Sequence, residues 1–327
     1  MSAGIGPTIL ILERVHQDCS RILLECGYRV LNSWELEPDQ LSQAYGDAQA
    51  IVIKSATQVN RQFLSAFSKL EFIARAGTGT DNIDLTAVQE AGIQLTTTPG
   101  MNAEATAEFA MAQILAEIKS LSMISASVGR GDFRRHKLYG EQVSLKRIGL
   151  AGIGEVGRRM IERLRSFGCE ILLYDRPEKL QTLEQEFGLE TTSDLNYLFR
   201  SCDVVSLHLR ADSSNYAIIN KRVLNAIQSK GFILLNTARA SLIDEVALEE
   251  ALKNGSIRRY ICDHVDPEPD YEAANLSAKE WPRLLHSERV VFSPHVAALT
   301  DHTQVQIAVE LANQVDRYIC LAKKTAL

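Results

Sequence analysis

A chain of 327 residues exceeds what one ordinary hydrophobic core fills, so two domains are expected. Apolar residues make up 46% of it and charged residues 23%, a balance that excludes a disordered or fibrous chain. The net charge of −6 argues against a nucleic-acid partner, whose site would be basic, but leaves room for a local cationic pocket that takes a small acid.

Strand and helix patterns alternate from the start. The runs "TILILE", "YRVLN", "AIVIKS", "EFIARAG" and "IQLTTT" predict strands. Between them "DCSRILLECG", "PDQLSQAYG", "NRQFLSAFSKL" and "LTAVQEAG" predict helices. Such alternation implies a parallel sheet covered on both faces. Pro99-Gly100 then breaks the chain, and Asn102 is a candidate N-cap. One long helix is expected from Ala103, with Phe109, Ile114, Leu115, Ile118 and Leu121 on its apolar stripe. The basic stretch "GRGDFRRHK" follows. A second domain opens at "KRIGLAGIGEVG" and adds strands "EILLY", "VVSLHL", "GFILLN", "RYICDH" and "ERVVFSPH". After His295 a single helix, "TQVQIAVELANQVDRYICLA", is expected to return to the first domain. The expected division is therefore residues 1–101 with 296–327, against 102–295.

The six cysteines, Cys19, Cys26, Cys169, Cys202, Cys262 and Cys320, form no C-x-x-C pair and show no zinc spacing. Reduced, mostly buried thiols, no metal and a cytoplasmic location are expected. "MSAGIGPTILIL" has no basic segment ahead of its apolar run and no cleavage site, so no signal peptide is expected. No apolar run reaches membrane-spanning length, and no membrane partner is expected.

Gly152, Gly154 and Gly157 form a G-x-G-x-x-G motif. Alone that motif is weak. Here a strand precedes it, a helix follows and ends near Gly168, and a second strand ends at Asp175 about 20 residues on. The first glycine permits a tight turn, the second lets backbone approach a pyrophosphate, and the third lets helix and strand pack closely. Asp175 suits the ribose hydroxyls of NAD and would repel the 2′-phosphate of NADP; Arg176 beside it weakens that discrimination.

Three residues sit just beyond strands of the second domain: Arg239 in "NTARASLID", Glu268 in "DHVDPEP" and His295 in "FSPHVAALT". Ligands of open α/β sheets bind outside the carboxyl ends of strands. Arginine is the bidentate partner for a 2-hydroxy acid's carboxylate. Histidine suits proton transfer at its hydroxyl near neutral pH. A carboxylate beside that histidine would favour its charged form.

The fragments "RAGTGTDNID", "AGIGEVG", "LLNTARASLIDEVALEEAL", "CDHVDPEP" and "SPHVA" resemble the D-isomer-specific 2-hydroxyacid dehydrogenases over nearly the whole chain. The resemblance implies two Rossmann-like or flavodoxin-like parallel-sheet domains around an active-site cleft, Arg239, Glu268 and His295 as the catalytic set, and a homodimer formed through the NAD-binding domain. It also implies that Glu155 and Val156 touch the pyrophosphate, that Thr78, Arg176, His208, Leu209, Thr237 and Ala238 line the cofactor, and that Asp263 meets the nicotinamide carboxamide. Four positions depart from the family pattern: Ala240 replaces a glycine, Arg210 stands where proline is common, and His264 and Asp266 stand where apolar or other residues are usual.

Within the family, "ARAGTGTDNIDL" and "IVIKSATQV" look most like the phosphoglycerate dehydrogenases, although Lys54 stands where arginine is commoner. On that likeness the N–H groups of Ala76 and Gly77 receive the carboxylate. Lys54, Arg75 and a partner subunit's Arg135 surround a distal phosphate. The chain stops soon after its return helix, so feedback through a C-terminal regulatory domain is not expected. The best expectation is the 3-phosphoglycerate/phosphohydroxypyruvate pair. A dehydrogenase or reductase for another 2-hydroxy acid, with glycerate/hydroxypyruvate, glyoxylate, lactate or a specialised metabolite as substrate, is the alternative. An NAD-sensing corepressor on the same fold is the remote one.

Overall fold

Strands buried on both faces need apolar side chains pointing both ways, and this chain supplies them. In "FILLN", Leu234 packs into one hydrophobic cluster while Ile233 and Leu235 pack into another on the opposite face. The computed structural model describes residues 6–265 and 282–325. It divides into two units, Met1–Asn102 with Leu299–Leu327, and Ala103–Ala298. The expected boundaries lie one residue from the first junction and three from the second.

The first unit runs β1 (Thr8–Ile11), α1 (Asp18–Glu25), β2 (Arg29–Asn32), α2 (Pro38–Asp47), β3 (Ala48–Ile53), α3 (Arg61–Leu64), β4 (Phe72–Arg75), α4 (Leu85–Glu90) and β5 (Gln94–Thr97). Its sheet is parallel, in the order β2-β1-β3-β4-β5, the flavodoxin-like arrangement. Side chains cap two of its helices: Asn60 accepts from Phe63 N at 2.9 Å, and Asp84 accepts from Ala87 N at 2.9 Å.

The second unit opens with α5 (Ala103–Ile118) and α6 (Leu121–Gly129). Next come β6 (Arg147–Ala151), α7 (Glu155–Ser166), β7 (Glu170–Tyr174), α8 (Pro177–Phe187), β8 (Glu190–Thr192), α9 (Leu195–Ser201) and β9 (Val204–Leu207). It closes with α10 (Lys221–Leu224), β10 (Phe232–Asn236), α11 (Glu245–Lys253), β11 (Ile257–Cys262) and β12 (Val290–Phe292). The seven parallel strands are ordered β12-β11-β10-β9-β6-β7-β8. Strand order reverses between β6 and β9, which makes that junction the topological switch point.

The long helix expected from Ala103 is two helices. α5 and α6 meet at a 60° bend. Ser120 between them has φ +54°, a left-handed conformation that ends the hydrogen-bond ladder. α5 covers one face of the seven-stranded sheet with Ala107, Ala110, Met111, Ile114 and Ile118. Leu121, placed on the same stripe by its spacing, is instead half exposed beyond the bend. Among the described residues no single helix is long and apolar enough to cross a membrane.

α12 (Asp301–Thr325) belongs to the first unit. Its Ile307, Ala308, Leu311, Ala312, Val315 and Ile319 pack on Ile9, Ala50, Val52, Phe72 and Ala74. Tyr318 stacks on Phe72 with centroids 4.5 Å apart, and Gln314 ties the helix to β5 through Thr96 Oγ1 and the Thr97 carbonyl. One face of the five-stranded sheet is therefore covered by the end of the chain together with Cys19 and Leu23 of α1. Leu311, fully buried there, is expected to cost about 2–5 kcal/mol as Leu311→Ala. Urea denaturation followed by circular dichroism should show a lower midpoint for that variant.

Candidate active site

Gly152 follows β6 at the switch point with φ +95°, a conformation that favours glycine. A Cβ there would lie 2.7 Å from the carbonyl carbon and oxygen of His208, which follows β9, and 2.8 Å from Leu209 N. At Gly157 a Cβ would lie 2.5 Å from the Gly152 oxygen, so the helix packs on the loop only without a side chain. At Gly154, which begins α7 with no side-chain cap, a Cβ would meet nothing within 4 Å. Two glycines are thus required by close packing. The third opens the helix start, with Glu155 and Val156 in its first turn, to a pyrophosphate. The motif's helix ends as expected, with Gly168 at φ +67°.

Asp175 is buried at the end of β7. Its carboxylate accepts from Ile153 N and Arg176 N, each at 2.9 Å, and from Lys179 Nζ at 3.2 Å. It therefore fixes the glycine loop, and a carboxylate's four acceptor positions leave room for a ribose hydroxyl. Arg176 itself is exposed and pairs with Glu178 at 3.3 Å. His208 Nε2 lies 2.9 Å from Ser206 Oγ, and burial holds the imidazole down at about 4, so it is neutral at physiological pH. Thr237 is buried beyond β10, and its Oγ1 has no hydrogen-bond partner among the described residues. An orphaned buried hydroxyl in the same unit as the glycine cradle fits a dinucleotide.

Arg239, His264 and His295 follow β10, β11 and β12, which are adjacent in the sheet. Arg239 Nη1 donates to the Ala238 carbonyl at 2.8 Å and lies 3.3 Å from His264 Nε2. Asn236 holds the same turn from below: its Nδ2 donates to the Arg239 carbonyl at 2.8 Å, and its Oδ1 accepts from Ala238 N at 3.0 Å. The His264 and His295 rings are 3.8 Å apart between centroids, at 58°. His295 has φ +56°, a strained conformation for a residue with a Cβ.

Asp263 holds that strained turn. Its carboxylate is almost wholly buried and accepts from Ser293 Oγ at 2.5 Å, Val296 N at 3.0 Å and Ala297 N at 2.9 Å. Its main-chain oxygen accepts from His295 N at 3.0 Å. Four of the bonds that shape the His295 turn thus converge on one residue, while His295 N also donates to the Ser293 carbonyl at 2.9 Å. The resemblance assigns Asp263 to the nicotinamide; the geometry gives it a prior role, which sequence spacing does not reveal. Glu268 and Asp266 lie outside the described residues.

In the first unit the Ala76 and Gly77 N–H groups, expected at the substrate carboxylate, have partners of their own. Ala76 N donates to the Ile53 carbonyl at 2.8 Å, continuing the β3–β4 ladder, and Gly77 N donates to Thr98 Oγ1 at 2.7 Å. Sheet pairing satisfies the first N–H and the Thr98 side chain the second. Lys54 and Arg75 stand at the paired ends of β3 and β4, where Ile53 is opposite Arg75. Arg75 is buried, and its Nη1 donates to the Ala76 carbonyl at 3.0 Å. Thr78 is exposed, its Oγ1 3.4 Å from Gly100 N. Arg135, in the second unit, lies in an exposed single helical turn.

All six cysteines are free thiols. Cys19, Cys202 and Cys262 are buried, and burial pushes each up to about 12; Cys26 and Cys320 are exposed. Half of the thiols, not most, are buried.

Residues 111–297 match the model of the D-isomer specific 2-hydroxyacid dehydrogenase NAD-binding domain. A D-3-phosphoglycerate dehydrogenase of Methanocaldococcus jannaschii is 32% identical over 311 residues, covering 95% of this chain and 57% of that protein. A hydroxypyruvate reductase of Thermotoga maritima is 31% identical, covering 91% of this chain and 94% of that protein. Among solved structures, a glyoxylate reductase from Paecilomyes thermophila superposes with a TM-score of 0.78 at 26% identity, covering 95% of each chain. The chain belongs to the D-isomer specific 2-hydroxyacid dehydrogenases, and its second unit is the family's NAD-binding domain. It spans little more than half the length of several curated relatives it matches.

Gly152→Ala is expected to abolish NADH binding, because the new Cβ pushes against His208 backbone that β9 holds in place. Titration followed by nicotinamide fluorescence checks this, with Gly154→Ala as the milder comparison.

Proposed function

We propose that this chain interconverts a D-2-hydroxy acid and its 2-keto acid, with 3-phosphoglycerate and phosphohydroxypyruvate as the leading pair. One observation carries the assignment to chemistry: Arg239 and His295 are brought together through His264 at adjacent strand ends, in the same unit as the glycine cradle. Bound NAD supplies the hydride acceptor for oxidation, and NADH the donor for reduction. Arg239 grips the substrate carboxylate and polarises its 2-oxygen. His295 takes the hydroxyl proton during oxidation and returns it during reduction. Glu268 stabilises the protonated imidazole. Asp175 favours NAD over NADP, since a 2′-phosphate would meet its negative charge.

Lys54 and Arg75 at neighbouring strand ends support a second anionic group on the substrate, with Arg135 contributed by a partner subunit. The likeness to the Methanocaldococcus jannaschii phosphoglycerate dehydrogenase points the same way. A specific observation favours a second reading, a non-phosphorylated acid such as hydroxypyruvate: Arg75 is folded onto its own chain and the Ala76 and Gly77 N–H groups are committed. The Thermotoga maritima hydroxypyruvate reductase, matched over nearly its whole length, supports it too. Initial rates with NADH over a panel of 2-keto acids separate the two. A charge-assisted contact to a phosphate is worth roughly tenfold or more, so kcat/KM for phosphohydroxypyruvate should exceed that for hydroxypyruvate by about that factor. Equal values refute the phosphorylated substrate.

A homodimer through the second unit fits its surface. Leu121, Met123, Val128, Phe133, Tyr139 and Leu145 are all exposed within one 25-residue stretch, apolar surface that a partner subunit would cover. A cytoplasmic location completes the proposal.

The acid–base assignment has a signed test. Reduction needs protonated His295, and the Glu268 carboxylate favours that form. In Glu268→Gln the imidazole loses its proton at lower pH, so reduction should fail at lower pH than in the wild type. Superimposable pH profiles, with hydride transfer shown to limit the rate by a deuteride isotope effect, remove Glu268 from this role.

A further inference from the structure

His264 is one of the four departures from the family pattern, and its side chain lies between the two groups assigned to chemistry. It is 3% exposed. Its Nε2 is 3.3 Å from Arg239 Nη1, and its ring packs on His295 with centroids 3.8 Å apart. A guanidinium only donates, so His264 Nε2 is the acceptor in that contact and the ring proton sits on Nδ1. An apolar residue at this position could fill the space against His295 but could not accept from Arg239.

We infer that His264 is a positioning residue that sets the Arg239 guanidinium for the substrate carboxylate while bracing the His295 ring. The inference rests on the assignment of Arg239 and His295 to the substrate. The arginine side chain has many rotamers, and one fixed hydrogen bond removes much of that freedom before the acid arrives. The fork is then preorganised, so the effect falls on binding of the acid. The glycine loop and Asp175 stand at the ends of β6 and β7, whereas His264 bonds Arg239 and packs on His295, so its replacement leaves those cofactor contacts in place.

The test uses the full chain saturated with NADH and oxamate, an unreactive analogue of a 2-keto acid. His264→Phe keeps an aromatic ring against His295 and removes the acceptor. His264→Gln keeps an acceptor of similar reach. Loss of a hydrogen bond to a charged group is expected to weaken oxamate binding by His264→Phe about tenfold. The KM for the keto acid should rise similarly, with NADH affinity within about twofold of wild type. His264→Gln should recover most of the loss. Wild-type oxamate affinity in His264→Phe overturns the inference, and so does a His264→Gln variant as weak as His264→Phe. NADH fluorescence reports folding; if His264→Phe does not fold, His264→Leu carries the same expectation. Arg239→Ala separates the levels. If it loses oxamate binding while His264→Phe keeps it, only the positioning role fails. If Arg239→Ala itself binds oxamate like the wild type, the underlying assignment fails and this inference with it.

Discussion

One buried carboxylate governs the chemistry-bearing end of the second unit. Asp263 accepts from Ser293 Oγ, Val296 N and Ala297 N, and its carbonyl accepts from His295 N. Those bonds hold His295 at φ +56°, a conformation that typically costs about 1–3 kcal/mol and persists only when its surroundings over-determine it. In the proposed mechanism His295 is a base that must reach one hydroxyl proton, and such rigidity would serve it, since loose geometry lowers the fraction of time spent within reach. The strain is thus held by an observed clamp.

The sheet supplies the rest of the arrangement. Parallel strands deliver their carboxyl ends to one edge, so loops after β6, β7, β9, β10, β11 and β12 all open on the same side. The cradle at Gly152, the Asp175 carboxylate, Thr237, Arg239, His264 and His295 are consequences of that single constraint. Where the side chains must be absent, glycine is required by contact: a Cβ at Gly152 or Gly157 would press on backbone, not on a yielding side chain. Asp175 and Asp263 play parallel parts, each using main-chain N–H groups to fix a loop that a ligand must meet.

Much of this was legible in the sequence because parallel strands are short apolar runs that interrupt helical periodicity. "TILILE", "FILLN" and "RYICDH" are of this kind, and so is the glycine motif between two strands. What was illegible had local causes. β8, "ETT", is a polar edge strand with no hydrophobic signature. The break at Ser120 hides inside an apolar stripe, since the residue's left-handed backbone leaves no mark on periodicity. The N–H groups of Ala76 and Gly77 matched a family position, but their commitment to Ile53 and Thr98 is a matter of pairing across the sheet. Asp263 was recognisable as important, yet its bonds reach 30 to 34 residues along the chain, beyond any local pattern. His264 stood out in the sequence only as a departure; its contact with Arg239 gives the departure a physical meaning.

The most direct measurement compares Asp263→Ala with the wild type in two quantities at once: the dissociation constant for NADH and the single-turnover rate of keto-acid reduction. If Asp263 acts chiefly by holding the His295 turn, the turnover rate should fall by about 10²–10⁴-fold, the worth of a positioned acid–base group, while NADH binds within a few-fold of wild type. A variant that binds NADH far more weakly yet reduces the acid at an undiminished rate once saturated would contradict the clamp and return Asp263 to the cofactor.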